Sequence, residues 1–385
     1  MMYKLSDICD YVKEKTDVVG LDENTYISTE NMIQNKGGIS PASSLPTVTQ
    51  TQAFAKGDVL VSNIRPYFKK IWFAEFDGGC SNDVLVFRTK EGVSKRFLYY
   101  VLADDAFFTY SMATSKGTKM PRGDRKAIME YEVPSFSFDE QVKVAGILEL
   151  LDKKIQLNRE INDNLLQQAS AIFDNTLQQS EALTYVDLGT LADVKGGKRL
   201  PKGVNLITEP NSHPYIRVRD LNNVVFASLS ADYEYVDNET QQSISRYITS
   251  TGDVLISIVG TIGLTAIVDK SLDNANLTEN CVKVTNLKDI TPEYLLLYLR
   301  SSSGIEAVTK GTVGAVQLKL PIKNIQAIPV PLLPKSEAEP LNDVLHVIFN
   351  QISANVMETK RLADIRDVLL PKLMSGELDV SNLDV

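Results

Sequence analysis

Apolar positions along the chain follow two periods, and the switch from one to the other happens twice. Short strand-like runs come first: DVLVS from Asp58, KIWFAEF from Lys70 and DVLVFRT from Asp83, then DVLISIV from Asp253, LTAIVD from Leu264 and CVKVTNL from Cys281. They are β-branched or aromatic, separated by Gly, Asn and Asp, and predict strands. After each set, RFLYYVLADDAFFTYSM and PEYLLLYLRSSSGIEAV space their apolar residues along one face and predict one helix each, the second capped by Thr291 with Pro292 at its first position. After VPSFSFDEQ and VPLLPKSEAE a long helical period starts, near Asp139 and Ser336. Sevenfold spacing then links Leu148, Ile155, Asn162 and Ala169, and Leu151, Asn158, Leu165 and Ile172. The second helix repeats this as Leu345, Ile352, Thr359, Arg366 and Ile348, Asn355, Leu362, Leu369. Both stripes are apolar with polar centres, which fits two helices pairing with each other or each lying on its own domain.

The elements form a duplication. GDVLVS at Gly57 and GDVLIS at Gly252 lie 195 residues apart; FLYYVL and YLLLYL are offset by 197, the two KGT triplets by 194, and EVP and AIP by 195, in the same order throughout. Near-constant offsets over such a span point to two copies of one mixed α and β unit.

Composition narrows the class. With 385 residues, 43% hydrophobic and 23% charged, the chain is globular and long enough for two or more cores. No apolar run reaches a membrane span and the first residues lack a secretory signal, so a cytoplasmic protein without a membrane partner is expected. Cys9, Cys80 and Cys281 are scattered and read as small buried hydrophobes. His213 and His346 are the only histidines and sit in separate copies, so neither a metal centre nor a histidine-based catalytic pair is expected. No phosphate loop, dinucleotide fingerprint or Asn-Pro-Pro-aromatic tetrapeptide occurs, which leaves no catalytic residue and no cofactor to assign. The net charge of −9 argues against general affinity for polyanions, so any nucleic-acid reading rests on local clusters.

YKLSDI, YVDLGTLADV, YISTENM, the stretch from GDVLVS to NDVLVF, DEQVKVAGILELLDKKIQLNREINDNL and LLPKLMSGEL resemble, together, the DNA specificity subunits of Type I restriction-modification systems, over essentially the whole chain. The resemblance implies an α+β fold with two tandem target-recognition domains, each reading half of a bipartite double-stranded DNA target. It implies a helix pair that holds them apart and docks two methyltransferase subunits, with endonuclease and translocase subunits joining through the complex. The expected divisions are a first recognition domain at 1–138, a helical spacer at 139–180, a second recognition domain at 181–335 and a C-terminal helical region at 336–385. Catalysis, and S-adenosylmethionine, would belong to the partners. Two tethered readers multiply their affinities, and a helix of about 40 residues, roughly 60 Å, separates them by more than one duplex turn. A scaffold that does not bind DNA, favoured by the acidity, and a self-sufficient nuclease are the competing classes.

Candidate DNA contacts in the first copy are Arg65, Lys69 and Lys70 of RPYFKK and Lys116, Lys119, Arg122, Arg125 and Lys126 of SKGTKMPRGDRK. The second copy offers Lys195, Lys198, Arg199 and Lys202, then Arg217 and Arg219, then Lys310, Gln317 and Lys319. Glycine-containing basic loops suit phosphates, and Arg or Gln suits base edges. The loops after KGT recur at matching positions with different side chains, as readers of different half-sites would; a solvated face is the plainer alternative. Thr29, Glu30 and Asn31 of YISTENM fit a base-reading loop or a strand followed by a helix cap.

A pseudo-two-fold axis relating two equivalent helices makes them antiparallel. Centred on the heptads, it pairs residues whose numbers sum to 517: Leu148 with Leu369, Ile155 with Leu362, Asn158 with Thr359, Asn162 with Asn355, Leu165 with Ile352 and Ile172 with Leu345. Leu151 then faces Arg366, whose charge must reach solvent. A register shifted by one heptad is the alternative.

Overall fold

The computed structural model describes residues 2–230, 233–314 and 317–380. The chain divides into two compact units, residues 1–157 with 358–385, and residues 158–357. In the first, an antiparallel sheet is ordered Cys9–Tyr11, Val84–Thr89, Val59–Ser62, Ile71–Phe73. In the second, Asp193–Gly196, Cys281–Thr285, Val254–Ser257 and Thr265–Val268 follow the same order, with Phe226–Ala227 added in parallel at the edge.

Alternation along these strands buries both faces. Val59, Val61, Leu85 and Phe87 point into the core that holds the helices, and Leu60, Val84 and Val86 into a second core behind the sheet. The second unit repeats the arrangement with Val254, Ile256, Val282 and Val284 on one side and Leu255, Ala266 and Cys281 on the other.

The repeated GDVL has a structural reason. Gly57 and Gly252 have φ of 94° and 88°, a conformation that glycine adopts without strain. The next residue accepts a backbone N–H at 2.8 Å in both copies, Asp58 from Ala55 and Asp253 from Ser250. It is also buried against a cation on the neighbouring strand. Arg88 grips Asp58 with two hydrogen bonds of 2.9 and 2.8 Å and reaches Glu14 at 2.8 Å, whereas Lys283 meets Asp253 at 3.3 Å.

The single helices expected after the strands are each broken in two. Lys95–Ala103 is followed by Asp105–Ala113, and Pro292–Arg300 by Ser302–Gly311. The breaks lie 197 residues apart, at Asp104 and Ser301, whose side chains accept the N–H of Ala106 and Gly304 and restart the helix as caps. A local polar cap overrides an unbroken apolar stripe.

The long helices are Phe138–Gln179 and Lys335–Met374, starting one residue before the expected positions. Ser137 and Glu140 exchange hydrogen bonds at the start of the first as a capping box. Both unit boundaries fall inside these helices, so each unit contains one segment of each. In the first unit Val144 and Leu148 share a core with Leu370, Leu373 and Met374. Arg366, expected to escape past Leu151, instead donates to Asp152 at 2.8 Å, and Asp152 also accepts the Tyr100 hydroxyl at 2.8 Å. Burial opposes the charge of Arg366, but Asp152 and Asp367 outweigh it and raise its pKa. In the second unit Ala169 and Phe173 share a core with Leu341, Leu345 and Phe349. Ile172, assigned to the stripe by strict heptad counting, is 37% exposed, and Phe173 takes the buried place edge-on to Tyr294 at 4.9 Å. An α-helix of 3.6 residues per turn drifts off a 3.5 repeat, which accounts for the shift. No helix among the described residues is long and apolar enough to cross a membrane.

Candidate nucleic-acid interface

The basic loops after the broken helices form equivalent hairpins. Lys116 and Arg122 exchange backbone hydrogen bonds at 2.9 and 3.0 Å; Val313 and Lys319, each 197 residues on, do so at 2.8 and 2.9 Å. Gly117 and Gly314 turn them with φ of 93° and 114°. Each hairpin bridges to the segment leaving the GDVL strand, through Ile64 and Arg122 in one unit and Val259 and Lys319 in the other. The scaffold presents the same paired hairpin ends twice, closing the sequence KGTKMPR in one place and VGAVQLK in the other.

Most candidate cations of the first unit already have partners. Lys69 and Lys36 both pair with Asp105, at 2.7 and 3.0 Å, and their pull outweighs burial in lowering the Asp105 pKa. Lys116 pairs with Asp124 at 2.6 Å and Arg122 with Asp83 at 3.2 Å, while Arg125 donates to the Asn82 carbonyl at 2.9 Å. Lys70 donates to the Thr29 carbonyl at 2.6 Å, and burial lowers its pKa. Lys119 and Lys126 are exposed. Arg65 rests its guanidinium 6.0 Å from the Phe68 ring. A phosphate approaching this surface exchanges one anion for another, which limits the gain per cation.

In the second unit Lys195 pairs with Asp193 at 3.1 Å, Arg199 with Glu279 at 2.7 Å, and Lys310 with Glu306 at 2.7 Å along one helix turn. Arg217 and Arg219 both pair with Glu234. Lys198 lies 5.4 Å from the Tyr247 ring, and Lys202, Gln317 and Lys319 are exposed.

The YISTENM stretch is a two-residue strand, Tyr26–Ile27, followed by a turn and not by a helix. Asn31 is buried, accepts the Ser28 N–H at 2.6 Å and donates to the carbonyls of Tyr26 and Ser40, so its amide is committed to the turn. Thr29 and Glu30 line a polar recess of about 470 Å³ with Ser28, Ser43, Ser44 and Asp83. YIRVRDL holds the same place in the second unit: Tyr215–Ile216 is likewise a parallel strand, and Arg217 N–H donates to Asp220 three residues on, as Ser28 does to Asn31.

The profile of the Type I restriction modification DNA specificity domain matches twice, over residues 1–167 and 181–363. The chain belongs to that family. It is similar to the HindI specificity subunit of Haemophilus influenzae, 23% identical over 98% of this chain and 99% of the relative. It is also similar to the MjaIX specificity subunit of Methanocaldococcus jannaschii, 23% identical over 76% of this chain and 71% of the relative. The structure of the Type-I restriction-modification system S subunit from M. genitalium superposes with a TM-score of 0.52 at 16% identity, covering 99% of this chain and 96% of that one, and shares its fold.

Of the specificity-domain chain's helix residues placed on the seam, Leu148, Ile155, Asn158, Ile352 and Asn355 are buried, and Leu165, Thr359, Leu362 and Leu369 half-buried. Within the second unit Asn355 Nδ2 donates to Asn162 Oδ1 at 2.8 Å, and Asn162 Nδ2 donates to the Ile352 carbonyl at 3.3 Å. Sequence reading missed Lys36 and Asp105. Neither lies in a basic run, and only the fold brings them together with Lys69.

Proposed function

We propose that this chain is the sequence-specific DNA-recognition subunit of a Type I restriction-modification complex, without catalytic activity of its own. Its two hairpin-bearing units would read the halves of a bipartite double-stranded target. The observation that carries this reading is the double match to one specificity-domain family, in a chain that builds one scaffold twice and changes the exposed side chains on its hairpins. Equivalent scaffolds with different hairpins suit one mechanism applied to two sequences. Methyltransferase subunits, two per chain, would supply S-adenosylmethionine chemistry, and endonuclease and translocase subunits would join through them. The divisions proposed are recognition domains at 1–138 and 181–335 and helical regions at 139–180 and 336–385, supported by helix starts at Phe138 and Lys335.

The long helices are proposed to pair antiparallel as a coiled coil about a pseudo-two-fold axis. The Asn162–Asn355 hydrogen bond supports the register in which numbers sum to 517. Cysteines introduced at 162 and 355 crosslink in this register, given the roughly 4.4 to 6.8 Å Cα separation a disulfide needs, and crosslinking only at positions displaced by seven rejects it.

The deciding experiment combines the chain with its methyltransferase partner and maps adenine methylation on DNA. Methylation at a bipartite motif only when both are present supports the reading; methylation or cleavage by the purified chain alone overturns it. Exchanging residues 1–138 for those of a relative then changes one half of the motif only.

A further inference from the structure

Arg65 and Gly260 occupy the same turn in the two units. Each follows the residue, Ile64 or Val259, that bridges to the last residue of the hairpin, and each has positive φ, 51° and 81°. The scaffold therefore demands left-handed backbone here, which glycine adopts freely and a side chain resists. Crowding does not explain the glycine, because a Cβ on Gly260 would meet nothing within 4 Å. The first unit nonetheless carries an arginine, locked in place by its N–H donating to the Pro121 carbonyl at 2.8 Å and its carbonyl accepting from Phe68 at 2.9 Å. Strained backbone of this kind persists where a side chain is needed for a task.

The guanidinium shows what task. Lys69, Lys116 and Arg122 around it are paired with carboxylates, but among the described residues no acid pairs with Arg65. Its Nε is buried without a hydrogen-bond partner, and the group leans on the Phe68 ring, which holds a planar cation without consuming its donors. With its Nε buried and its plane leaning on the ring, Arg65 offers its terminal Nη1 and Nη2, beside the hairpin, to a planar acceptor pair.

We propose that Arg65 is a specificity-determining residue of the first unit, donating through its fork to O6 and N7 of a guanine in the major groove. This rests on the DNA-recognition role proposed above. Guanine is the base whose major-groove edge offers two acceptors at the spacing of the guanidinium fork. Gly260 leaves the second unit without such a reader at the equivalent place.

The test uses Arg65→Gly and Arg65→Asn, both compatible with left-handed backbone, each assembled with the methyltransferase partner. Melting temperature is measured, and initial methylation rates are compared on oligonucleotides varied at every position of the motif. The expected result is an unchanged or raised melting temperature with loss of roughly 10- to 100-fold discrimination for guanine at one position of one half-site, all other positions keeping theirs. An unchanged motif overturns the proposal. So does equal weakening at every position, the mark of a phosphate contact, or a lowered melting temperature with proportional loss everywhere, the mark of a structural role. If the wild-type complex itself shows no sequence preference, the DNA-recognition role falls and this inference with it.

Discussion

At one position in each unit the same geometry is filled with opposite chemistry. In the first unit Tyr100 and Arg366 meet on Asp152; 197 residues away in the repeat stand Leu297 for Tyr100 and Phe349 for Asp152, and Ala169 is the counterpart of Arg366. These three are buried together in one apolar core. What the duplicated scaffold preserves is the place where helix meets helix, not the force acting there. The polar trio fixes orientation through directional bonds but must overcome desolvation, while the apolar trio gains from burial and depends on fit.

Substitutions can break that comparison. The largest expected effect is on the apolar side, where Phe349→Ala costs about 3 to 5 kcal/mol of stability through cavity formation, with little dependence on salt. Asp152→Ala leaves Arg366 with Asp367 alone and a buried hydroxyl unpaired, and costs about 2 kcal/mol. Replacing the whole polar trio by its apolar counterparts, Tyr100→Leu with Asp152→Phe and Arg366→Ala, recovers most of that loss in denaturant unfolding; a triple variant no better than Asp152→Ala would mean that the two sites differ in shape as well as in chemistry.

The repeated ion pair sharpens the contrast. Lys283 has 12% of its side chain exposed and Arg88 39%, and Arg88 keeps Glu14 when Asp58 is lost. Asp253→Ala is therefore expected to cost about 3 kcal/mol and Asp58→Ala about 1 to 2 kcal/mol, read from unfolding midpoints of the two variants. Equal losses would show that exposure does not set the difference.

A smaller difference separates the hairpins by pH. Asp124 caps the helix Arg125–Ile128, and Lys116, helped by the N–H groups of Ala127 and Lys126, holds its carboxyl at about 2 against an ordinary 3.8. Because the folded value is the lower one, its stabilisation is present above the ordinary value and lost as pH falls from about 3.8 to about 2. The counterpart is Pro321, which has no side chain to titrate. Carboxyl chemical shifts followed by NMR should give Asp124 its low midpoint, moved upward by Lys116→Ala. The smallest effect belongs to Lys119→Ala, which should weaken DNA binding a few-fold on all sequences and reduce the salt slope by about one.

The central strands and the starts of the long helices were legible because they follow from periodicity, which needs only the order of apolar residues along the chain; the order of strands within each sheet does not follow from it. Family membership was legible from the helical stretches and LLPKLMSGEL. The helix breaks at Asp104 and Ser301 were hidden because an N-cap reads like any polar residue within an amphipathic stripe. Asp152 was missed because it lies one place off the heptad stripe and gains its meaning from Tyr100, 52 residues before it. Candidate cations were visible as basic runs, but not their pairing with Asp83, Asp105 and Glu279, which only folding brings close. Arg65 looked like one basic residue among many until its backbone angle could be set beside that of Gly260.

The first unit takes residues from both ends of the chain, while the second is continuous. Leu148 and its neighbours find Leu370, Leu373, Met374 and Val380 only after more than two hundred intervening residues have been made. On the ribosome, then, the unit that begins first finishes last. Until then its apolar helix face stays open, exposed to aggregation or to chaperones, while residues 158–357 can already close their own core. A chain cut short before Leu370 should leave the second unit protease-resistant and the first one digestible, which makes the return of residues 358–380 the step that closes the first unit.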